Sequence, residues 1–159
     1  MTVPSFDFYT VCSALGSAFA PGTIGTPTGE DAMRAVYPHG VKGIGAYPAL
    51  VLQVQHGEVV ANSDNWSHKA YIDAILLLSK RGGNPPDVEA SRQRWLPYLL
   101  SATEDHLKIG VGAQSGWELK SAMPIGWEWA EVDVDGDGFD GIRVHYEVWI
   151  YEIMSNLAP

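Results

Sequence analysis

The stretch 142–151, IRVHYEVWIY, decides how the rest of the chain is read. Ile142, Val144, Tyr146, Val148 and Ile150 alternate with Arg143, His145, Glu147, Trp149 and Tyr151. A strand turns successive side chains to opposite faces, so one face here is made for a core and the other is polar and aromatic. Just upstream, Trp127–Val134 runs into Asp135-Gly136-Asp137-Gly138. Asp-Gly between two such runs signals a hairpin, because both residues accept the left-handed backbone that tight turns require. A hairpin of Trp127–Val134 and Ile142–Ile153 is therefore expected.

Two earlier runs read in the same way. In Tyr47–Gln55, Leu50, Leu52 and Val54 fall on one face and Val51, Gln53 and Gln55 on the other. In His68–Ser79, Ala70, Ile72, Ala74, Leu76 and Leu78 alternate with Lys69, Tyr71, Asp73, Ile75 and Leu77, polar on one face early and apolar on both later. The polar segment Val59–Ser67 is expected to join them as the long loop of a second hairpin.

Helical spacing appears twice. Phe8, Val11, Cys12, Leu15 and Phe19 recur on one helical face, with Ser5 or Asp7 able to cap the start and Pro21-Gly22 closing the end. After Gly82-Gly83-Asn84-Pro85-Pro86-Asp87, Val88, Ser91, Trp95, Leu99 and Ala102 form a second stripe. Asn84 suits an N-cap, prolines fit a first helical turn and Asp87 favours the positive helix end. Pro97 is expected to kink this helix or split it after Leu96. The Gly/Pro/Thr-rich segment from Pro21 to Gly45 reads as a long loop with a helical turn around Asp31–Val36. Leu107–Val111 and Trp117–Met123 are candidate short strands. The order is thus α-β-β-α-β-β with room for an extra strand. It implies an α+β class, one domain over residues 1–159, and an antiparallel or mixed β-sheet with helices packed on one side.

Composition narrows the function classes. The 159 residues are 46% apolar and 18% charged, which suits one folded core rather than a disordered chain. A formal charge of −9 repels phosphate backbones within a Debye length of roughly 8 Å, so wrapping of nucleic acid is not expected. The single cysteine, Cys12, excludes an internal disulfide framework and lies in an apolar stretch without basic neighbours to activate it. No signal peptide is recognisable, and the longest clean apolar run, Ala74–Leu78, is far short of the ~20 residues a bilayer needs. A reducing aqueous compartment and no membrane are expected.

No motif carries a reaction. Asp133, Asp135 and Asp137 with Gly138 match the opening of a calcium loop, with Asp140 beyond. The position where such a loop needs a bidentate Glu is Val144, in a core-facing strand, so an acidic hairpin tip is the better reading. Gly40-Val41-Lys42-Gly43-Ile44-Gly45 fits neither a phosphate loop nor a dinucleotide fingerprint. His39, His56, His68, His106 and His145 show no metal spacing, and no G-x-S-x-G elbow anchors a Ser-His-Asp site. Glu30-Asp31 and Glu104-Asp105 read as solvated charges, and the sequon Asn65-Trp66-Ser67 has no secretory context. No catalytic, cofactor-binding or metal-binding residue is assigned and no cofactor is implied. Trp66, Trp149 and Tyr151 are aromatics in polar surroundings, suited equally to an interface or to folding back onto their own domain.

Taken together, the pattern resembles the tail terminator (head-to-tail joining) family of siphophages. The residues behind the resemblance begin with the N-terminal amphipathic helix, Ala35-Val36-Tyr37-Pro38 and Tyr47-Pro48-Ala49-Leu50-Val51. The central helix around Trp95 and Leu99 and the closing Val148-Trp149-Ile150-Tyr151-Glu152 complete it. It covers nearly the whole chain in element order, and no single residue is diagnostic. The resemblance implies a virion protein of the tail and neck, assembled in the bacterial host cytoplasm. It implies a homo-oligomeric ring, usually a hexamer, that caps the tail tube protein and meets the head-completion (stopper) protein. DNA would pass through the lumen without specific binding. A head-closure or tail-completion protein is the nearest alternative. A small acidic hydrolase and a calcium-stabilised binding module are the alternatives from other classes.

Overall fold

A computed structural model of the chain describes residues 7–61, 65–81, 85–104 and 117–153. Helix α1 (Phe8–Gly16) and a 3-10 turn (Ser17–Phe19) precede strands β1 (Ala35–Tyr37), β2 (Ala49–Ala61) and β3 (Asn65–Lys80). Helix α2 (Pro85–Ser101) and strands β4 (Trp117–Val134) and β5 (Asp137–Ile153) follow. The strands form one mixed sheet in the order β1-β2-β3-β5-β4, antiparallel except where β1 runs parallel to β2. This is a mixed α+β fold. Among the described residues no helix is long and apolar enough to cross a membrane.

β5 lies next to last in the sheet, paired on both sides, and its alternation is the reason. Ile142, Val144, Tyr146, Val148 and Ile150 are all fully buried on one face. The turn before it is tighter than Asp135–Gly138: Val134 pairs with Asp137, leaving Asp135 and Gly136 at φ 48° and 88°. Both central residues of such a two-residue turn need positive φ. Trp117–Met123 is not a separate strand but the first half of β4, continuous with Trp127–Val134 through bulges at Leu119/Ser121 and Pro124/Gly126. Pro124 is tolerated because β4 is an outer strand, where a missing N–H need not break the ladder. Gly141 is required where β5 closes on β3, since a Cβ there would lie 1.8 Å from the Leu76 carbonyl oxygen.

Both helices cover the same face. Val11, Cys12 and Leu15 of α1 and Trp95 and Leu99 of α2 share one buried cluster with Leu50, Leu52, Ile72, Leu76 and the inward row of β5. Asp7 caps α1, accepting from the Thr10 N–H at 2.7 Å, and this bond holds its carboxyl below the usual range. Tyr146 donates its hydroxyl to the Leu99 carbonyl, and burial keeps that hydroxyl protonated. Arg92 clamps α2 to the last hairpin, donating to Gly141 O at 3.0 Å and Ala130 O at 2.9 Å with its guanidinium over Trp129.

Three expectations are corrected. Of the kink or split expected at Pro97, the split is excluded, since the second helix runs on to Ser101. The proline falls in the last turns, where few backbone bonds remain to lose, and Trp95 and Leu99 on either side are locked in the core. The polar segment Val59–Ser67 is not a long loop: Val59–Ala61 and Asn65–Ser67 belong to β2 and β3 and pair as far as Ala61↔Trp66. This part of β2 is exposed on both faces, so it lacks the alternation that identifies a half-buried strand. The helical turn around Asp31–Val36 is absent, and Ala35–Tyr37 instead pairs with Ala49–Val51, a long-range contact that outweighs local preference. Ser5, Asn84 and Leu107–Val111 lie outside the described residues.

Among the described residues no helix packs on the second face of the sheet. At one end Ile44 and Tyr47, from the connection between β1 and β2, cover Ile75, Leu77 and Phe139. The rest is open.

Candidate interaction surface

Across the open face, paired residues of adjacent strands line up in rows, and each row forms its own small network. In the central row Gln53, Asp73 and His145 sit side by side on β2, β3 and β5, opposite Gly126 on β4. Asp73 is nearly buried. Its Oδ1 accepts from His145 Nδ1 at 2.6 Å, and its Oδ2 accepts from Gln55 Nε2 at 3.1 Å. Arg143 Nε lies 3.6 Å from the same oxygen, at ion-pair range without a hydrogen bond, while Arg143 Nη1 donates to Glu128 Oε1 at 3.1 Å.

The neighbouring rows are aromatic. Lys69 lies over the rings of Tyr71 and Trp149, 5.6 and 5.7 Å from their centres, and 3.7 Å from Glu147. Tyr71 first, with Glu147 and Glu58 adding, raises the Lys69 ammonium above its ordinary range. Trp149 Nε1 donates to Glu147 Oε1 at 2.9 Å, and Lys120 caps the Tyr151 ring at 5.0 Å. Trp149 and Tyr151, singled out in the sequence, thus each carry a lysine ammonium over the ring. Trp66 enters β3, not a loop.

These contacts are too weak to explain the face by stability alone. Exposed ion pairs contribute about 0–1 kcal/mol each. What they do is hold charged and aromatic side chains in one arrangement before any partner arrives, which lowers the ordering cost of an encounter.

Among the described residues the other sequence candidates do not converge on a reaction centre, and Asp105 and His106 lie outside those residues. His145 is oriented by a carboxylate, as a general base is, but its Nε2 faces the Glu128 carboxylate at 4.0 Å rather than a nucleophile. Asp133, Asp135, Asp137 and Asp140 lie along the β4–β5 tip, with Asp133 3.6 Å from Arg81. Among the described residues no group of three or more His, Cys, Asp or Glu is placed to hold a metal ion. A groove of about 500 Å3 opens between the Pro38–Val41 loop, Phe8 and Tyr9 of α1, and the uncovered part of β2. Its lining is mostly apolar, with Asp133 and Asp135 at one end. Cys12 reaches it, but burial pushes that thiol up to about 11, so it is protonated at neutral pH. Glu30 is held by Arg94 at 3.1 Å.

Sequence reasoning located the β5 half of the face. It missed Asp73 as the hub and Glu128 as the outer partner of Arg143. The only available signal was that Asp73 interrupts an otherwise apolar run, Ile72–Leu78.

Comparison with known proteins found no family model that matches the chain and no curated protein that matches it.

Proposed function

We propose that the chain is a non-enzymatic, ring-forming component of the neck of a long-tailed bacteriophage. Within that class the tail terminator is the favoured assignment: a ring, hexameric in the simplest case, that caps the tail tube and presents a face to the stopper. The observation that carries the reading is the uncovered sheet face, where Lys69, Tyr71, Arg143, Trp149 and Tyr151 are held in a fixed array. Aromatic and arginine side chains at that density are the composition of protein–protein contacts. The net charge of −9 supports a lumen that lets DNA slide past without binding it.

Electron microscopy of the purified protein, alone and with tail tube subunits, tests this. Rings seated on tube ends are expected; particles of monomer size that never decorate tubes would refute it. Loss of the gene should give overlong tubes, whereas a stopper defect should give heads that leak DNA. The Asp73–His145 pair favours one competing reading, a small hydrolase. That reading requires His145→Ala to abolish a measurable hydrolysis of ester or phosphate substrates, and we expect no such activity in the wild-type protein.

A further inference from the structure

Among the described residues, seven large apolar side chains stand open to solvent, and they are not scattered. Met123 (57% exposed), Ile125 (52%) and Trp127 (47%) lie on β4; Val54 (39%), Val59 (61%) and Val60 (45%) lie on β2. Tyr9 is the seventh, and the described side chains of β3 and β5 include none. β4 is one outer strand of the sheet. On the other side β1 pairs only with Ala49–Val51, so β2 is itself the edge from Leu52 to Ala61. The exposed apolar side chains therefore mark the two opposite edges of one sheet.

We infer that the β4 edge of one copy packs against the β2 edge of the next, head to tail, and that this contact closes the ring. The inference rests on the ring reading above and names its interface. Three features of the two edges agree. β2, β3, β5 and β4 alternate in direction, so a β2 placed beside the β4 of another copy continues the antiparallel order. Both edges carry exposed apolar residues on both faces of the sheet. Val54, Val59 and Trp127 share the helix-covered side with Ile72, Ile150 and Val144, whereas Val60 and Met123 share the open side with Tyr151 and Glu147. One opposite-charge pair is also within reach, with Lys120 held 3.2 Å from Glu118 in its own chain. Glu58 is level, through Lys69 and Trp149, with Ser121, beside the exposed Lys120. Val54, through Ile72 and Tyr146, is level with Pro124, beside Ile125.

A contact between two different patches is heterologous and propagates until it closes, whereas a two-fold pairing of β4 with β4 would leave the β2 patch exposed. Pro124 and the two bulges in β4 interrupt the flat edge that would template uncontrolled pairing. The contact is therefore one of side-chain packing at a fixed register rather than an unlimited ladder.

Cysteine cross-linking in a Cys12→Ser background tests the geometry. Val54→Cys and Ile125→Cys are made separately and together, and oxidised mildly; a disulfide requires Cα atoms roughly 4.4–6.8 Å apart. Mixing the two single variants should give a linked dimer. The double variant should give a ladder ending at the ring's full number of subunits, and each single variant alone should give little. Because cross-linking depends on register, Ile125→Lys and Val60→Lys are measured in parallel by native mass spectrometry. Each should weaken association about tenfold or more, the scale of a lost interface anchor. Linked dimers from one single variant alone would overturn the head-to-tail arrangement. Intact rings that neither cross-link nor respond to either lysine would overturn the inference and leave the ring reading standing. A wild-type protein that stays monomeric, alone and with tube subunits, would overturn both.

Discussion

On the helix-covered face, β3 and β5 carry Ile72, Ala74, Val144 and Val148, all buried. One residue along, the same two strands carry Tyr71, Asp73, His145 and Glu147 on the open face, tied to neighbours by the contacts described above. The first face is held by apolar burial, worth roughly 25 cal/mol for each Å2 removed from water. The second is held by pairs worth about 1 kcal/mol or less each. One face makes the fold; the other is arranged at little gain in stability, and on the proposed function its composition would be set by the partner it meets.

That division can be broken or sharpened by substitution. The largest effects belong to the covered face. Trp95→Ala should cost about 3–5 kcal/mol in urea denaturation, because a fully buried ring that joins α2 to the sheet leaves a cavity behind. Gly141→Ala should be of similar severity, since its methyl would occupy the position of the Leu76 carbonyl and force β3 and β5 apart. Asp73→Ala should cost less, about 1–3 kcal/mol, by leaving Arg143 and His145 without their shared acceptor. A loss as large as that of Trp95→Ala would make the open face a second core and undo the comparison.

The covered face also carries a pH effect. Burial raises the Cys12 thiol from 9.0 to about 11, so between those values the folded state holds a proton that the unfolded state has released. Stability should therefore fall as pH rises from about 9 through about 11. Cys12→Ala should remove that part of the slope, and an unchanged slope would show that the thiol is not buried as described. Trp149→Ala on the open face should change stability by about 1 kcal/mol or less while weakening assembly, measured by denaturation and native mass spectrometry side by side. EDTA should leave the melting temperature where it was, because Asp133, Asp135, Asp137 and Asp140 follow one another along a hairpin tip. A drop would restore the calcium reading.

How much of this was legible in the sequence follows from where water is. β5 could be read residue by residue because one of its faces is wholly dry and the other polar. The outer half of β2 could not, since Glu58, Val59 and Val60 are all exposed and carry no period of two. β1 was illegible because its three residues are defined by their partners at Ala49–Val51, not by their own pattern. The open face was readable only along each strand. Its hub depends on β3 lying next to β5, a neighbour relation between strands separated by a helix. The free edges were invisible for the same reason, because Met123 or Val60 marks an edge only once the strand order is known.

The most direct measurement is the native mass of the purified protein, alone and mixed with tail tube subunits, across a wide concentration range. A single closed multiple of the 17.3 kDa chain, lost on Ile125→Lys, is the result expected here. A 17.3 kDa species at every concentration and in both conditions would contradict it, and the open face would then need another explanation.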